Sequence, residues 1–127
     1  MTIIGPMGTF RVPVEVGLPS GAGWETVEAL ADSGSTYTWV PRSILERLGV
    51  RPIDLLPFET ASGAVIEREV GETRVRIEGR VRTTIVVFAD EGAMPLLGAF
   101  TLEAFSLAPD PVNRRLVRVR ALAMSGL

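Results

Sequence analysis

Apolar residues alternate strictly with other residues near the start of the chain, and this alternation constrains the fold more than any other feature. From Phe10 to Leu18 every second residue is apolar, and charged residues, Pro or Gly stand between them. A period of two is typical of a β-strand with one buried and one exposed face. Such a strand must pack its apolar face against other elements, so the pattern predicts a β-rich domain.

Further strand patterns follow, separated by turns rich in Gly, Pro and Ser. Segment 24–31 predicts the second arm of a hairpin with the first strand, and segment 58–66 predicts an exposed hairpin with small residues at its tip. Segments 70–77 and 81–88 predict a third hairpin, with a fully apolar stretch that favours central burial. Segment 116–122 predicts a final strand with a charged face.

Two short helices are predicted among these strands. Segment 41–49 begins with Pro and ends with Gly, and segment 99–107 carries apolar residues at helical spacing. No repeat or linker divides the 127 residues, a length that supports one hydrophobic core and not two lobes. The sequence therefore predicts a single all-β domain over residues 1–127, a small closed β-barrel with one or two short helices.

The chain contains no His, no Cys and no Lys, and every basic side chain is Arg. This composition excludes Ser-His-Asp and Cys-His pairs, Schiff-base lysines, disulfides and zinc sites built on imidazole or thiolate. Any hydrolytic chemistry must therefore use carboxylates. We expect no metal and no cofactor.

The charge pattern bears on partners and location. The net charge is −2 with a pI near 5.2, and the arginines alternate with acidic residues, so we expect no nucleic acid partner. No segment approaches the ~20 apolar residues of a membrane helix, and residues 1–10 lack a signal-peptide pattern. We therefore expect no membrane association and a cytoplasmic location.

One aspartate stands out from the other three. Asp32 alone follows an apolar strand directly and precedes small residues, in the sequence Asp-Ser-Gly-Ser. By itself this tetrapeptide is typical of a turn. Its apolar flanks, however, predict that the chain enters the core here, where a lone carboxylate is costly to bury. Asp32 is therefore a candidate functional residue.

Three motifs together resemble the retropepsin-type aspartic peptidases, a single-lobe aspartyl protease family. They are Leu-Ala-Asp-Ser-Gly-Ser at 30–35, Thr-Ala-Ser-Gly at 60–63 on a hairpin tip, and Pro-Leu-Leu-Gly at 95–98 before a short helix. They occur in the order of the family, and the resemblance extends over nearly the whole chain. It implies a peptidase that acts on a peptide or protein substrate as a homodimer.

The resemblance also implies roles for individual residues around the aspartate. Asp32 matches the catalytic residue, and Ser33 matches a hydroxyl, more often Thr in the family, that braces the two active-site loops across the dimer. Gly34 would let the backbone turn tightly under the carboxylate. The Ser35 hydroxyl would lie within hydrogen-bonding reach of that carboxylate. Gly98 matches a structural glycine packed beneath the active-site loop.

The hairpin tip is implied to be a flap that closes over an extended substrate. The substrate-binding residues of the flap would be Thr60, Ala61, Ser62 and Gly63. Without the aspartate motif this tip is an ordinary β-turn.

The number of candidate carboxylates constrains the mechanism. Peptide hydrolysis without His, Cys or Lys requires one carboxylate to accept a proton from water and one carboxylic acid to polarise the carbonyl. The chain has one suitable motif, so the second Asp32 must come from a second copy about a two-fold axis. Two carboxylates ~4 Å apart repel by about 4 kcal/mol at an effective dielectric of ~20, so the pair shares one proton over a broad pH range. A bell-shaped pH profile of the rate is expected.

Two alternatives remain open at the level of sequence. The chain is alternatively a non-proteolytic module that keeps the fold for dimerisation or peptide binding. A third reading is a barrel that binds a small ligand, with Asp32 as a structural turn residue. The two tryptophans, Trp24 and Trp39, are assigned to the core and not to the site.

Overall fold

A computed structural model describes residues 9–21 and 23–121 of the chain. Within these ranges the chain forms nine strands and two helices. In chain order they are β1 (Arg11–Gly17), β2 (Trp24–Ala31), β3 (Thr38–Pro41), α1 (Arg42–Arg47), β4 (Asp54–Glu59), β5 (Val65–Ile77), β6 (Arg80–Ala89), β7 (Leu96–Leu97), α2 (Ala99–Ala104), β8 (Leu107–Asp110) and β9 (Arg115–Arg118). The predicted all-β class with short helices is confirmed.

Seven strands form one sheet in the order β1-β2-β7-β3-β6-β5-β4. An additional antiparallel pairing joins β1 to β5 through Glu15 with Arg76 and Val16 with Val75. The sheet therefore closes on itself, and β4 remains outside the ring as the outer strand of a hairpin with β5. Two pairings are parallel, β2 with β7 and β3 with β6. They bring strands that are distant in sequence next to each other.

The period-two pattern determines which side chains fill the ring. In β1 the side chains of Val12, Val14 and Val16 are buried, whereas the residues between them face outward. The two helices close the core from outside the ring, since Leu45 of α1 and Leu102 of α2 are each at most 2% exposed. The apolar stretch of β6 is largely buried, as its sequence predicts.

The C-terminal strand differs from its predicted extent, residues 116–122. It spans Arg115–Arg118 and pairs with β8 of the same chain in a separate two-stranded sheet. Residues 119–121 are irregular, and residue 122 lies outside the described residues. Within the described ranges, no helix has the length and apolar character needed to cross a membrane.

Candidate active site

Asp32 is the first residue after β2, in a turn that runs from the end of this strand to β3. Its backbone N–H donates to the carbonyl of Leu97 at 3.0 Å, and its own carbonyl accepts from the N–H of Ser35 at 3.1 Å. The residue is half-buried, so the prediction of a buried carboxylate is wrong. Ala29 and Ala31 point into the core, and the next residue in the alternation therefore faces away from it.

The Asp32 carboxylate receives a hydrogen bond from its own turn. The Gly34 N–H donates to Oδ1 of Asp32 at 2.9 Å, and a Cβ at Gly34 would lie 3.1 Å from the same oxygen. The φ angle of Gly34 is not in the left-handed region, so crowding by the carboxylate, and not turn geometry, favours glycine here. The Ser35 hydroxyl donates to the carbonyl of Tyr37 at 2.9 Å instead of to the carboxylate.

Ser33 is exposed at the outside of this turn. None of the side-chain hydrogen bonds found in the described part of the chain involves its hydroxyl, which is therefore available to an external group.

Segment 97–100 is joined to the Asp32 turn by backbone hydrogen bonds. Besides the bond to Asp32, the N–H of Ala99 donates to the carbonyl of Ser35 at 2.7 Å, and the N–H of Phe100 donates to that of Thr36 at 2.9 Å. Ala99 and Phe100 are the first residues of α2, whose N–H groups have no partner within the helix. The turn therefore caps α2, and α2 in return holds the turn.

Gly98 lies where the turn and this segment approach most closely. A Cβ at Gly98 would lie 2.2 Å from the carbonyl oxygen of Tyr37 and 2.9 Å from that of Ser35, both backbone atoms. No real Cβ tolerates such distances, so only glycine fits. Asp32, Ser33, Gly34, Ser35 and Gly98 thus form one compact unit.

A crevice of about 470 Å³ opens beside the Asp32 turn. One wall consists of residues 34–37 and Trp39, and the opposite wall consists of residues 56–59 of β4. The ring centroids of Trp39 and Phe58 are 5.0 Å apart in an edge-to-face arrangement, and Tyr37 contacts Phe58 and Phe100 in the same manner. The volume and the aromatic lining suit an apolar side chain of a ligand.

The sequence did not identify these aromatic residues as part of a site. The sequence assigns Trp39 to the core, whereas in the structure it is half-buried and lines the crevice. Tyr37 and Phe58 carry no motif. Tyr37 and Trp39 alternate with the buried Thr38 and Val40, and this alternation is the one local signal that they lie away from the core. Phe58 has no such signal, since both of its neighbours are exposed.

The predicted flap is the β4–β5 hairpin, and its tip is well formed. The N–H of Thr60 donates to the carbonyl of Ala64 at 2.7 Å, and Gly63 has a φ of 87°, which favours glycine. Ala61, Ser62 and Gly63 are exposed, and Thr60 is half-buried. Within this hairpin, the residues that line the crevice belong to β4 and include none of the four tip residues.

Ion pairs attach the base of this hairpin to the barrel. Arg42 of α1 donates to Glu69 at 2.8 Å, and Arg68 donates to Asp90 at 2.8 Å. The hydrogen bond from Arg42 lies between side chains that are only partly exposed, and Glu69 raises the pKa of the Arg42 guanidinium. The hairpin is therefore fixed at its base, while its tip extends into solvent.

Glu91 forms a further link between the barrel and α1. Its carboxylate accepts hydrogen bonds from the backbone N–H of Ser43 at 2.9 Å and from the Ser43 hydroxyl at 2.8 Å. These bonds lower the pKa of Glu91 below its ordinary value.

Among residues 9–21 and 23–121, no group of three or more acidic side chains is placed to hold a metal ion.

The fold matches solved structures of viral and cellular retropepsin-like domains. The protease of simian foamy virus (mac), known from a solution structure, is 24% identical, with a TM-score of 0.54 over 76% of this chain and 94% of that one. The retroviral protease-like domain of Ddi1 from Leishmania major, known from a crystal structure, is 18% identical, with a TM-score of 0.52 over 85% of this chain and 87% of that one. These similarities define a retropepsin-like fold.

The sequence itself establishes the family. A family model described as "Aspartyl protease" matches residues 12–100, which include the Asp32 turn, the β4–β5 hairpin and Gly98. The chain belongs to this aspartyl protease family, whose members are peptidases of the hydrolase class. No curated protein shows a significant match to the chain.

Proposed function

We propose that the protein is an aspartic endopeptidase in which two copies of the chain each contribute Asp32 to one active centre. The observation that carries this proposal is the Asp32 turn. Its backbone is held by hydrogen bonds from both ends, Asp32 itself is only half-buried, and residues 34–37 of the same turn line an aromatic crevice. A rigid turn that presents a carboxylate toward solvent suits a catalytic group better than a structural one.

The hydrolysis requires two carboxyl groups that share one proton. The ionised Asp32 accepts a proton from water as the water oxygen attacks the scissile carbonyl carbon, and the protonated Asp32 donates its proton to the carbonyl oxygen. As the C–N bond of the resulting gem-diol breaks, the newly protonated Asp32 gives its proton to the leaving amine. The other Asp32, now ionised, takes a hydroxyl proton from the diol as the carbonyl re-forms, and the pair again holds one proton. The assignment of base and acid to the two copies is arbitrary.

The homodimer is supported by what one chain offers. Asp32 has one amide donor on its carboxylate, and within the described residues no ion pair reaches it. The Ser33 hydroxyl is exposed and would form a hydrogen bond with the matching turn of a second copy. A two-fold axis beside this turn would bring Asp32 and Ser33 of one chain next to the same residues of the other.

The proposed substrate is an extended peptide bound between the Asp32 turn and the β4–β5 hairpin. The tip residues Thr60, Ala61, Ser62 and Gly63 would close over the peptide backbone. The aromatic crevice would take one side chain of the peptide, so we expect large apolar residues to be preferred near the scissile bond.

The deciding experiment replaces Asp32→Asn, which keeps the size of the side chain and removes its acid–base chemistry. Asp54→Asn is the matched control, because Asp54 is exposed and accepts a bond only from its neighbour Leu55. Cleavage of a mixed peptide library is followed by mass spectrometry, and folding is checked by circular dichroism. We expect Asp32→Asn to abolish cleavage and Asp54→Asn to retain it.

Mixing the variants tests whether the two carboxylates come from different chains. If Asp32→Asn chains exchange freely into wild-type dimers, an equal mixture retains about half of the activity of its wild-type chains. Unchanged activity in the mixture would contradict a shared centre. Dimerisation and peptide binding without cleavage at any pH would indicate the non-proteolytic module, and full activity of Asp32→Asn would indicate that Asp32 is a structural turn residue.

A further inference from the structure

Three buried threonine hydroxyls form a continuous chain behind the Asp32 turn. Thr38 of β3, Thr101 of α2 and Thr84 of β6 are exposed by 1%, 0% and 3%, respectively. The hydroxyl oxygens of Thr38 and Thr101 are 2.7 Å apart, and those of Thr101 and Thr84 are 3.0 Å apart. We refer to these three residues as the threonine chain.

The threonine chain ends on the backbone of the candidate active site. The N–H of Gly98 donates to Oγ1 of Thr38 at 3.1 Å. Gly98 is followed by the two α2 residues whose N–H groups bind the carbonyls of Ser35 and Thr36. The hydroxyls therefore connect a buried strand of the barrel to the segment that holds the Asp32 turn.

Packing alone does not require hydroxyls at these positions. A buried hydroxyl is costly unless it is hydrogen-bonded, and apolar residues of the same shape fill such space as well or better. Hydrogen bonds, unlike apolar contacts, fix both distance and direction. Thr101 is the middle member and joins α2 to β3 and β6 together, so it restrains α2 against sliding or rotating on the barrel.

We infer that Thr101 is a positioning residue for Asp32, acting through Thr38 and Gly98 without touching the substrate. This inference rests on the proposed peptidase function. A displacement of α2 moves Leu97 and Gly98, and the Leu97 carbonyl holds the backbone N–H of Asp32. A catalytic group displaced by ~1 Å loses about a hundredfold in rate. Of the two crevice walls, the one formed by residues 34–37 belongs to the same turn, whereas the opposite wall, residues 56–59 of β4, is on a separate hairpin.

The test compares Thr101→Val with the loss of an equally buried hydroxyl elsewhere in the barrel. Thr101→Val keeps the shape of the side chain and removes the hydroxyl, and Thr101→Ser restores the hydroxyl. The control is Thr73→Val, because Thr73 is 1% exposed and donates its hydroxyl to the carbonyl of Gly17 at 2.6 Å. Thr73 lies directly opposite Thr84 in the β5–β6 pairing. The control substitution therefore removes an equally buried hydroxyl, but one that is bonded to β1 and not to α2.

The steady-state parameters distinguish positioning from general destabilisation. We expect Thr101→Val to lower kcat by about tenfold or more with a smaller change in KM, whereas Thr101→Ser and Thr73→Val keep kcat near the wild-type value. Both valine variants lower the melting temperature. An equal loss of kcat in Thr101→Val and Thr73→Val, or no loss in Thr101→Val, would overturn the inference. If Thr101→Val does not fold, Thr84→Val removes the far end of the threonine chain and is judged by the same criteria.

Amide hydrogen exchange separates this inference from the proposed function. In Thr101→Val we expect faster exchange at Gly98 and Ala99 than in Thr73→Val, a result that needs no activity. If the wild-type protein cleaves no peptide, the proposed function fails, and the exchange rates still decide whether the threonine chain holds α2. Equal exchange at these amides in the two variants would refute the role of Thr101.

Discussion

The replacement Gly98→Ala gives the sharpest test of how the Asp32 turn is held. Gly98 has φ −94° and ψ 174°, an extended conformation that every residue adopts, so the substitution causes no backbone strain of its own. The added methyl group would lie 2.2 Å from the Tyr37 carbonyl oxygen and 2.5 Å from its carbon. Both atoms belong to the backbone, and no side-chain rotation relieves the contact.

The cost follows from the bonds that must stretch. To reach an ordinary contact distance, the two segments must separate by ~1 Å. This separation breaks or weakens the three hydrogen bonds from Gly98, Ala99 and Phe100 to the turn and to Thr38, each of which contributes about 0.5–1.5 kcal/mol. Overpacking adds about 1–3 kcal/mol. We expect Gly98→Ala to lower the free energy of unfolding by about 3–7 kcal/mol, a large part of the roughly 5–15 kcal/mol typical of a domain.

The assay is urea unfolding followed by circular dichroism, with Gly79→Ala as the control. Gly79 has a φ of 82° and open space around its Cβ position, so its replacement costs about 1–2 kcal/mol through left-handed backbone strain alone. We expect the midpoint to fall further for Gly98→Ala than for Gly79→Ala at a similar slope, and the melting temperature to fall by about 10–30 °C. A Gly98→Ala protein as stable as Gly79→Ala would refute the close approach of the two segments.

Three further predictions concern the crevice, a carboxylate and the pH profile. Phe58→Ala removes one wall of the crevice and should raise KM about tenfold with a smaller change in kcat, measured by initial rates, whereas Val65→Ala, 66% exposed on the same hairpin, should leave both unchanged. Because the pKa of Glu91 is lowered in the folded state, its stabilisation is present above its ordinary value of 4.5 and is lost as the pH falls through the lowered value. Glu91→Gln should therefore melt below the wild type at pH 7, and the gap in melting temperature should narrow as the pH falls below 4.5; a constant gap would contradict this linkage. The rate of cleavage should be bell-shaped in pH, and a flat profile from acidic to neutral pH would argue against a shared proton.

The elements that the sequence predicted are those with local signals. The alternation in β1, the Gly-containing turns and the Pro-to-Gly segment of α1 each depend on neighbouring residues, and the structure confirms all of them. The apolar flanks of Asp32 predict a buried carboxylate, whereas the structure shows a half-buried residue. The alternation in β2 is the better guide. Continued by one residue beyond Ala31, the same period of two places Asp32 outside the core.

The features that the sequence missed depend on residues far apart in the chain. Trp39 and Phe58 form opposite walls of the crevice although 19 positions separate their numbers, and no local pattern relates them. The threonine chain joins Thr38 to Thr101 across 63 positions. Thr is common in strands for its β-branched shape, so its presence in β3 and β6 did not suggest a hydrogen-bonded role.

The arrangement of one chain explains why the proposed chemistry needs a second. The carboxylate of Asp32 accepts a single amide hydrogen bond, and the other aspartates of the described residues are engaged elsewhere or lie at the surface. Asp90 pairs with Arg68, and Asp110 accepts bonds from Val112 and Asn113 in its own turn. Among the described residues of one chain, no second aspartate is therefore available to act as the acid beside Asp32. In the proposed homodimer a two-fold copy would place an identical group opposite, and mutual repulsion of about 4 kcal/mol at ~4 Å would retain one proton on the pair, so that the same residue would supply both base and acid.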